Sequence, residues 1–350
     1  MVLKNKHHYW IALHHDIKRP IGGVKQIHRL AEAISVNGRN ATIIQSDANF
    51  HPGWFKSKVS TISLSEWKKT QTLDPTKDII ILPETFLPGL PNYRPELPKI
   101  IFNQNGSYSF GFQKGDGFPK NPEKILSLYN SPELLQTLCV SKFDHLLLSV
   151  YFGLGEEKVS KITNPIETEV FVPSGNKKRI LSYMPRKNSK DASIVVSLLK
   201  NSAWFQEWEL CKIDRMSQDE VRKTLQKSLG FLSFGHPEGF GLPLAEAAAC
   251  GCALIGYSGL GGKEIFTLAR ENNVGWEVDF GDWGGFVSGA SDLNSLLVLN
   301  QENLSSNLYN LSKQVRNIYS KQNMESSVKM ALQKCEKILE SSTKIHAYND

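Results

Sequence analysis

Residues 230–247 read Gly230-Phe-Leu-Ser-Phe-Gly-His-Pro-Glu238-Gly-Phe-Gly241-Leu-Pro243-Leu-Ala-Glu246-Ala. The apolar beginning predicts a buried strand, and we expect Pro243 at the first position of a helix, where its missing N–H costs nothing. The glycines in between let the backbone come close to a ligand, and the N-terminus of a helix favours an anion. This stretch therefore predicts a strand, a turn and a helix that hold a phosphate or diphosphate at the turn.

Two carboxylates flank the predicted phosphate site. A carboxylate repels a phosphate unless it points to hydroxyl-bearing parts of the ligand, so we assign Glu246 to a ribose and Glu238 to a second sugar. The alternative is that Glu246 only complements the dipole of the first helical turn and that Glu238 is a solvated loop residue.

Strands and helices alternate on both sides of this stretch. In the second half of the chain, we predict strands at 179–183, 208–213, 230–234 and 253–256 and helices at 192–199, 219–229 and 243–249. In the first half, we predict strands at 9–13, 41–44, 78–82, 99–102 and 138–140 and a helix at 24–34. Such alternation produces parallel, doubly wound sheets, so the predicted fold class is α/β with two Rossmann-like halves.

The length of 350 residues favours about two domains. Residues 164–178 contain Pro and Lys without periodicity and are typical of a linker. We predict an N-terminal domain over 1–165, a C-terminal domain over 166–323, and a C-terminal helix and tail over 324–350. Residues 324–339 have apolar side chains at helical spacing, so this helix should pack one face against a core.

Charge is concentrated near the N-terminus. The chain has a formal net charge of +6, and residues 1–40 carry seven cations against Asp16 and Glu32. The cations are Lys4, Lys6, Lys18, Arg19, Lys25, Arg29 and Arg39. Two interpretations stay open: a solvated face, or a surface for an anionic partner such as phosphate, an acidic glycan or an anionic membrane.

Composition excludes several classes of protein. Hydrophobic residues make up 40% and charged residues 22%, which is typical of a soluble globular protein and not of a disordered or fibrous chain. Five scattered cysteines favour a reducing compartment. No apolar stretch approaches the roughly 18 residues of a membrane span. We therefore expect a cytoplasmic protein without signal peptide or transmembrane helix, for which peripheral contact with a membrane is an open alternative.

The spacing Glu238-x7-Glu246 around Gly-Phe-Gly-Leu-Pro resembles the signature of family-4 retaining glycosyltransferases with the GT-B fold. The resemblance implies two Rossmann-like domains facing across a cleft, with a C-terminal helix packed on the N-terminal, acceptor-side domain. It implies that Glu238 contacts the donor sugar and that Glu246 binds the ribose. The amides of Gly239, Phe240, Gly241 and Leu242 would hold the diphosphate. The later segment Gly261-Gly262-Lys-Glu264 resembles the next loop of that family.

The resemblance extends to other parts of the chain. Gly22 and Gly23 match the first glycine-rich loop, whose amides face the donor phosphates. Arg186 matches the family's arginine that neutralises the leaving diphosphate, although Pro185 replaces the usual glycine before it. The accompanying lysine could be either Lys187 or Lys190.

A further departure from the family pattern lies at residues 102–106, Phe-Asn-Gln-Asn-Gly, where a histidine is common. There, Gln104 and Asn105 could contact sugar hydroxyls of the donor or acceptor, or Asn-Gly could simply form a turn.

The implied function is metal-independent, retaining transfer of a sugar from a nucleotide diphosphate-sugar to an unknown acceptor in glycan biosynthesis, with no cofactor. No Asp-x-Asp pair supplies metal ligands, and no nucleic-acid motif occurs. A dehydrogenase or epimerase is disfavoured because Pro20-Ile-Gly22-Gly23 lacks the G-x-G-x-x-G spacing. A catalytically inactive GT-B module that binds a nucleotide sugar or a partner protein is the open alternative.

Overall fold

The computed structural model describes residues 7–13, 18, 21–70, 72–111 and 121–349, with side chains described as far as residue 341. The chain divides into two compact units. Unit 1 consists of Met1–Pro165 and Gln322–Asp350, and unit 2 consists of Ile166–Lys321. Each unit contains a parallel sheet with helices between most of its successive strands, which confirms the predicted α/β class and its two Rossmann-like halves.

Unit 1 is built on a seven-stranded sheet in the order β3-β2-β1-β4-β5-β6-β7. The strands are β1 His8–Ala12, β2 Asn40–Gln45, β3 Ser60–Ser63, β4 Asp78–Pro83, β5 Lys99–Asn103, β6 Leu134–Cys139 and β7 Val159–Lys161. Its first four helices are α1 Gly22–Val36, α2 Leu64–Lys69, α3 Pro122–Tyr129 and α4 Lys142–Leu146. Strands β4, β5 and β6 are buried at every residue, because both faces of a central parallel strand are covered.

Unit 2 is built on a five-stranded sheet in the order β12-β11-β10-β8-β9. The strands are β8 Lys178–Tyr183, β9 Glu209–Lys212, β10 Ser228–Ser233, β11 Ala253–Gly256 and β12 Gly275–Glu277. The helices are α5 Ser189–Lys200, α6 Gln218–Lys227, α7 Leu242–Ala249, α8 Lys263–Glu271, α9 Trp283–Leu299 and α10 Gln301–Ile318. Strand β10 begins two residues earlier than predicted, so helix α6 ends at Lys227 and not at residue 229.

The last helix, α11, spans Lys321–Asn349. Its buried residues include Val328, Leu332 and Cys335, in agreement with the predicted apolar face. The carboxylate of Glu336 accepts hydrogen bonds from the Tyr9 hydroxyl at 3.0 Å and from the Arg39 guanidinium at 2.8 Å and 3.0 Å. The helix therefore packs on unit 1, as the predicted fold class requires.

Three short strands, β3, β7 and β12, and six helices, α2 to α4 and α8 to α10, were not predicted. Strand β3 is polar at its ends, and β7 and β12 have only three residues each, so they lack an apolar run that a pattern could detect. Helix α9 contains Gly284, Gly285 and Gly289, which disfavour a helix. A Cβ atom at Gly289 would lie 2.8 Å from Cβ of Trp276, so this glycine allows α9 to pack closely on β12.

Candidate functional site

The loop between β10 and α7 follows the predicted strand, turn and helix. Gly241 precedes the helix with φ +85° and ψ 59°, a left-handed conformation that glycine adopts without strain. The helix begins at Leu242, so Pro243 occupies its second position. The sequence analysis predicted the first position. The consequence is small, because none of the first four N–H groups of a helix has an intrahelical partner.

Four consecutive main-chain donors of this loop have no acceptor within the described part of the chain. The amides of Gly239, Phe240, Gly241 and Leu242 donate no hydrogen bond to any residue that the structure describes. By contrast, the amide of Glu238 donates to the Gly259 carbonyl at 2.7 Å. The loop thus presents four amides at a helix N-terminus, which is a suitable arrangement for binding an anion.

The side chain of Phe240 points away from such a ligand. It is 3% exposed and packs edge-on against Tyr319, with ring centroids 4.9 Å apart. The hydroxyl of Tyr319 donates to Oε1 of Glu264 at 3.2 Å. Phe240 therefore anchors the loop to the rest of unit 2, and only its backbone is available to a ligand.

A second glycine-rich loop, residues 256–262, supports the first by backbone contact. A Cβ atom at Gly261 would lie 2.0 Å from the Gly239 carbonyl oxygen, and one at Gly259 would lie 2.4 Å from the Gly235 carbonyl oxygen. Gly261 also donates from its amide to the Glu238 carbonyl at 3.0 Å. Glycine is required at these positions because the two loops approach closer than any side chain allows.

The loop after β8 brings a cation to the same edge of the sheet. Nζ of Lys187 lies 3.0 Å from Oε2 of Glu238 and 2.5 Å from the Pro237 carbonyl oxygen. Arg186 and Lys190 are exposed and form no ion pair or hydrogen bond with another described residue. The structure thus brings Lys187 and Glu238 together and leaves the other two predicted cations at the surface.

Asn188 was not among the predicted site residues, and it joins the loop after β8 to the loop after β10. Its Nδ2 atom donates to the carbonyl oxygens of Phe234 at 2.7 Å and His236 at 3.1 Å. Asn188 stands at the N-cap position of α5 but forms no side-chain cap, because its amide group is engaged by the neighbouring loop. An Asn before a helix ordinarily indicates a cap, so no sequence signal distinguishes this use.

An aromatic cluster closes the edge on the side of β11 and β12. His236 stacks on Phe280 with centroids 4.3 Å apart, and the Tyr257 hydroxyl donates to Oδ2 of Asp191 at 2.9 Å. Burial raises the pKa of Tyr257 to about 12. The pKa of His236 is lowered by burial and by the nearby Lys187 charge, so the imidazole is neutral at pH 7. Sequence reasoning also missed this cluster.

Glu246 occupies the fifth position of α7 and is half-buried. Glu238 lies in the loop before the helix and is also half-buried, with a side-chain exposure of 23%. Along the chain, Glu238 thus precedes the four amides of residues 239–242 and Glu246 follows them.

In unit 1, the structure brings Gln104 to the predicted glycine loop. Helix α1 begins at Gly22 and has no side-chain cap. Nε2 of Gln104 donates to the Gly23 carbonyl at 3.3 Å, and a Cβ atom at Gly23 would lie 3.2 Å from Oε1 of Gln104. The Asn105 side chain accepts from the Ser107 amide at 3.1 Å and caps a short 3-10 turn, the alternative considered for it.

The predicted basic surface is only partly described. Lys4, Lys6 and Arg19 lie outside the described residues, and Lys18 is exposed. Lys25 is buried, Arg29 pairs with Glu32 at 2.8 Å, and Arg39 pairs with Glu336 at 2.8 Å. The described cations therefore do not form one exposed patch. No helix in the described ranges is long and apolar enough to span a membrane.

Comparison with known proteins identifies one relative in sequence and several solved structures of similar fold. No family model matches the chain. A relative from Actinobacillus pleuropneumoniae serotype 7 named alpha-1,6-glucosyltransferase is 27% identical over 222 residues, which are 60% of this chain and 59% of that protein. The chain thus spans about three fifths of the length of this curated relative.

Solved structures match over nearly the whole chain. Sucrose-phosphate synthase from Thermosynechococcus elongatus is 11% identical with a TM-score of 0.68, and the match covers 96% of this chain and 100% of that one. HepE from Anabaena, solved in complex with UDP, is 11% identical with a TM-score of 0.66, covering 93% of this chain and 99% of that one. These likenesses show a GT-B fold.

Proposed function

We propose that the chain is a retaining glycosyltransferase that transfers a sugar from a nucleotide diphosphate-sugar to an acceptor without a metal ion. The observation that carries the proposal is the row of four amides at the N-terminus of α7 that donate to no described residue, next to the Lys187–Glu238 pair. The name of the Actinobacillus relative and the UDP and UDP-glucose complexes of HepE support this class of activity and donor.

The amides of residues 239–242 would bind the donor diphosphate in this proposal. Glu238 would accept hydrogen bonds from hydroxyls of the donor sugar, and Lys187 would hold its carboxylate in place. Arg186, which is exposed and unpaired among the described residues, would neutralise the charge that develops on the leaving diphosphate. Glu246 would bind the ribose hydroxyls from the first turns of α7.

The nucleotide can be identified by thermal shift. Ligands that bind only the folded state raise the melting temperature by mass action, so UDP, GDP, ADP and CDP and their common sugars are compared on the intact chain. We expect one nucleotide to stabilise the protein and its sugar conjugate to be consumed with release of the diphosphate. Absence of a shift with all four nucleotides would contradict the proposal. Stabilisation without turnover in the presence of candidate acceptors would favour the inactive binding module.

Retention is tested on the product. The anomeric configuration of the transferred sugar is read by proton NMR immediately after transfer. The proposal requires the configuration of the donor, and an inverted product would contradict it.

Peripheral contact with an anionic membrane is a separate proposal that rests on the charge of residues 1–40. Co-sedimentation with vesicles containing anionic lipid should decrease as salt rises, because the Debye length is about 8 Å at physiological ionic strength. It should decrease further when Lys4, Lys6, Lys18 and Arg19 are neutralised. Equal binding of this variant and the parent would exclude the charge of these residues as the cause.

A further inference from the structure

Two buried carboxyl groups hold the loop after β5 in unit 1. The amide of Gln104 donates to Oε2 of Glu84 at 3.1 Å, and the amide of Gly106 donates to Oδ1 of Asp144 at 3.3 Å. Two amides of this loop are thus fixed by side chains from two other segments.

Both carboxyls are deeply buried at the carboxyl end of the sheet. Glu84 directly follows β4 and is 3% exposed, while Asp144 lies in α4, after β6, and is 1% exposed. Strand β5 lies between β4 and β6, so the two carboxyls reach its end from opposite sides. Burial of a carboxyl group costs free energy, and an apolar side chain would pack here without that cost. The presence of Glu84 and Asp144 is therefore better explained by their hydrogen bonds to the loop amides than by packing.

The fixed loop controls the position of Gln104. Its side chain donates to the Gly23 carbonyl at 3.3 Å, in the first turn of α1. On the other side the loop backbone lies close to the side chain of Leu147, since a Cβ atom at Gly106 would lie 2.6 Å from its Cδ2. A shift of the loop would therefore move Gln104 away from Gly23.

We propose that Glu84, assisted by Asp144, is a positioning residue that holds Gln104 against Gly23 so that the remaining polar atoms of Gln104 can bind a substrate hydroxyl. The identity of that substrate, a sugar of the donor or the acceptor, rests on the proposed function. The contact of Glu84 with the loop and the contact of Gln104 with Gly23 do not depend on the proposed function.

Hydrogen exchange tests the contact independently of activity. In Glu84→Gln, one amide nitrogen replaces an accepting oxygen, so exchange in peptides covering 103–111 and 21–27 should accelerate about tenfold. The matched control is Glu133→Gln, which breaks the 2.9 Å ion pair with buried Lys99 at the opposite end of β5. The control should lower stability without changing exchange at 21–27. Unchanged exchange of both segments in Glu84→Gln would overturn the proposal.

Kinetics with the identified donor test the role in substrate binding. Glu84→Gln and Gln104→Leu should each raise the KM of the same substrate, and the double variant should be no worse than the more affected single variant, because both changes remove one interaction. A purely structural role would lower the amount of active enzyme and leave KM unchanged. Independent, multiplying effects would also overturn the proposal. If no donor supports transfer, the proposed function fails, whereas the exchange measurement still decides whether Glu84 positions the loop.

Discussion

Nζ of Lys187 lies 3.0 Å from Oε2 of Glu238, and the two side chains are only 20% and 23% exposed. The pair is thus partly shielded from solvent, and the Pro237 carbonyl holds the same ammonium group at 2.5 Å. The position of the Glu238 carboxylate is therefore set by the loop after β8, which is distant from it in the sequence.

Replacing Lys187 should release this carboxylate. We expect Lys187→Met to lower kcat/KM about tenfold or more, and the double variant with Glu238→Gln to be no worse than the poorer single variant, since the two residues act as a unit. The control is Lys212→Met, which removes a more exposed pair with Asp214 in the same unit and should have little effect. Additive losses in the double variant would contradict the coupling.

Arg186→Ala should lower the rate of sugar transfer by removing a cation that stabilises the leaving diphosphate. The expected loss of transition-state stabilisation is on the order of 2 to 4 kcal/mol, measured as kcat/KM with the identified donor. Lys200→Ala, at the other end of α5, removes a cation that is also exposed and serves as the control. Unchanged turnover in Arg186→Ala would show that this arginine does not contact the diphosphate.

Gly261→Ala should disturb the loop that presents the four amides. Its Cβ atom would lie 2.0 Å from the Gly239 carbonyl oxygen, so one of the two loops must move, at a cost of about 1 to 3 kcal/mol. We expect a lower melting temperature and a smaller thermal shift with the nucleotide. Gly175→Ala is the control, because no atom lies within 4 Å of the added methyl group. A full nucleotide shift in Gly261→Ala would argue against this loop as the binding site.

The contribution of Glu84 and Asp144 to the stability of unit 1 should fall as pH rises from about 4.5 to 8. Burial raises the pKa of Glu84 from 4.5 to about 8 and that of Asp144 from 3.8 to about 7. The folded state therefore holds protons that the unfolded state has released, and this contribution is lost as pH rises through the folded pKa values. The neighbouring Tyr129 has a raised pKa and stays neutral throughout.

Chemical denaturation at pH 5, 6, 7 and 8 measures this pH effect. Glu84→Gln cannot titrate at this position, so its stability should depend less steeply on pH than that of the parent. Parallel pH profiles of the two proteins would rule out Glu84 as the source.

Metal removal should leave sugar transfer intact. The proposal assigns neutralisation of the diphosphate to amides and cations of the chain, so EDTA should not change the rate with the identified donor. Loss of activity in EDTA with recovery on adding manganese would contradict metal independence.

The sequence predicted the central strands of both sheets and the turn before α7 well. Central strands such as β4 and β10 are buried apolar runs, and the turn before α7 is specified by local residues, Gly241 and Pro243. These features depend on neighbours in the chain, so a pattern detects them.

The parts that were missed depend on partners far apart in the sequence. Asn188 bonds to the carbonyls of Phe234 and His236, 46 and 48 residues away, and Glu84 bonds to the amide of Gln104, 20 residues away. A polar residue after a strand gives no indication of which distant backbone group it will contact. For the same reason the sequence does not distinguish Lys187 from Lys190, whereas in the structure Lys187 pairs with Glu238 and Lys190 is exposed.

The burial of Phe240 has a consequence for mutational scanning. Its side chain packs on Tyr319, and the groups that face a ligand at 239–242 belong to the main chain. Truncating side chains in this segment removes no N–H donor, so an alanine scan would measure how well the loop is anchored. Replacing an amide by an ester through chemical synthesis would delete one donor at a time, and it would reveal the contribution of each to anion binding.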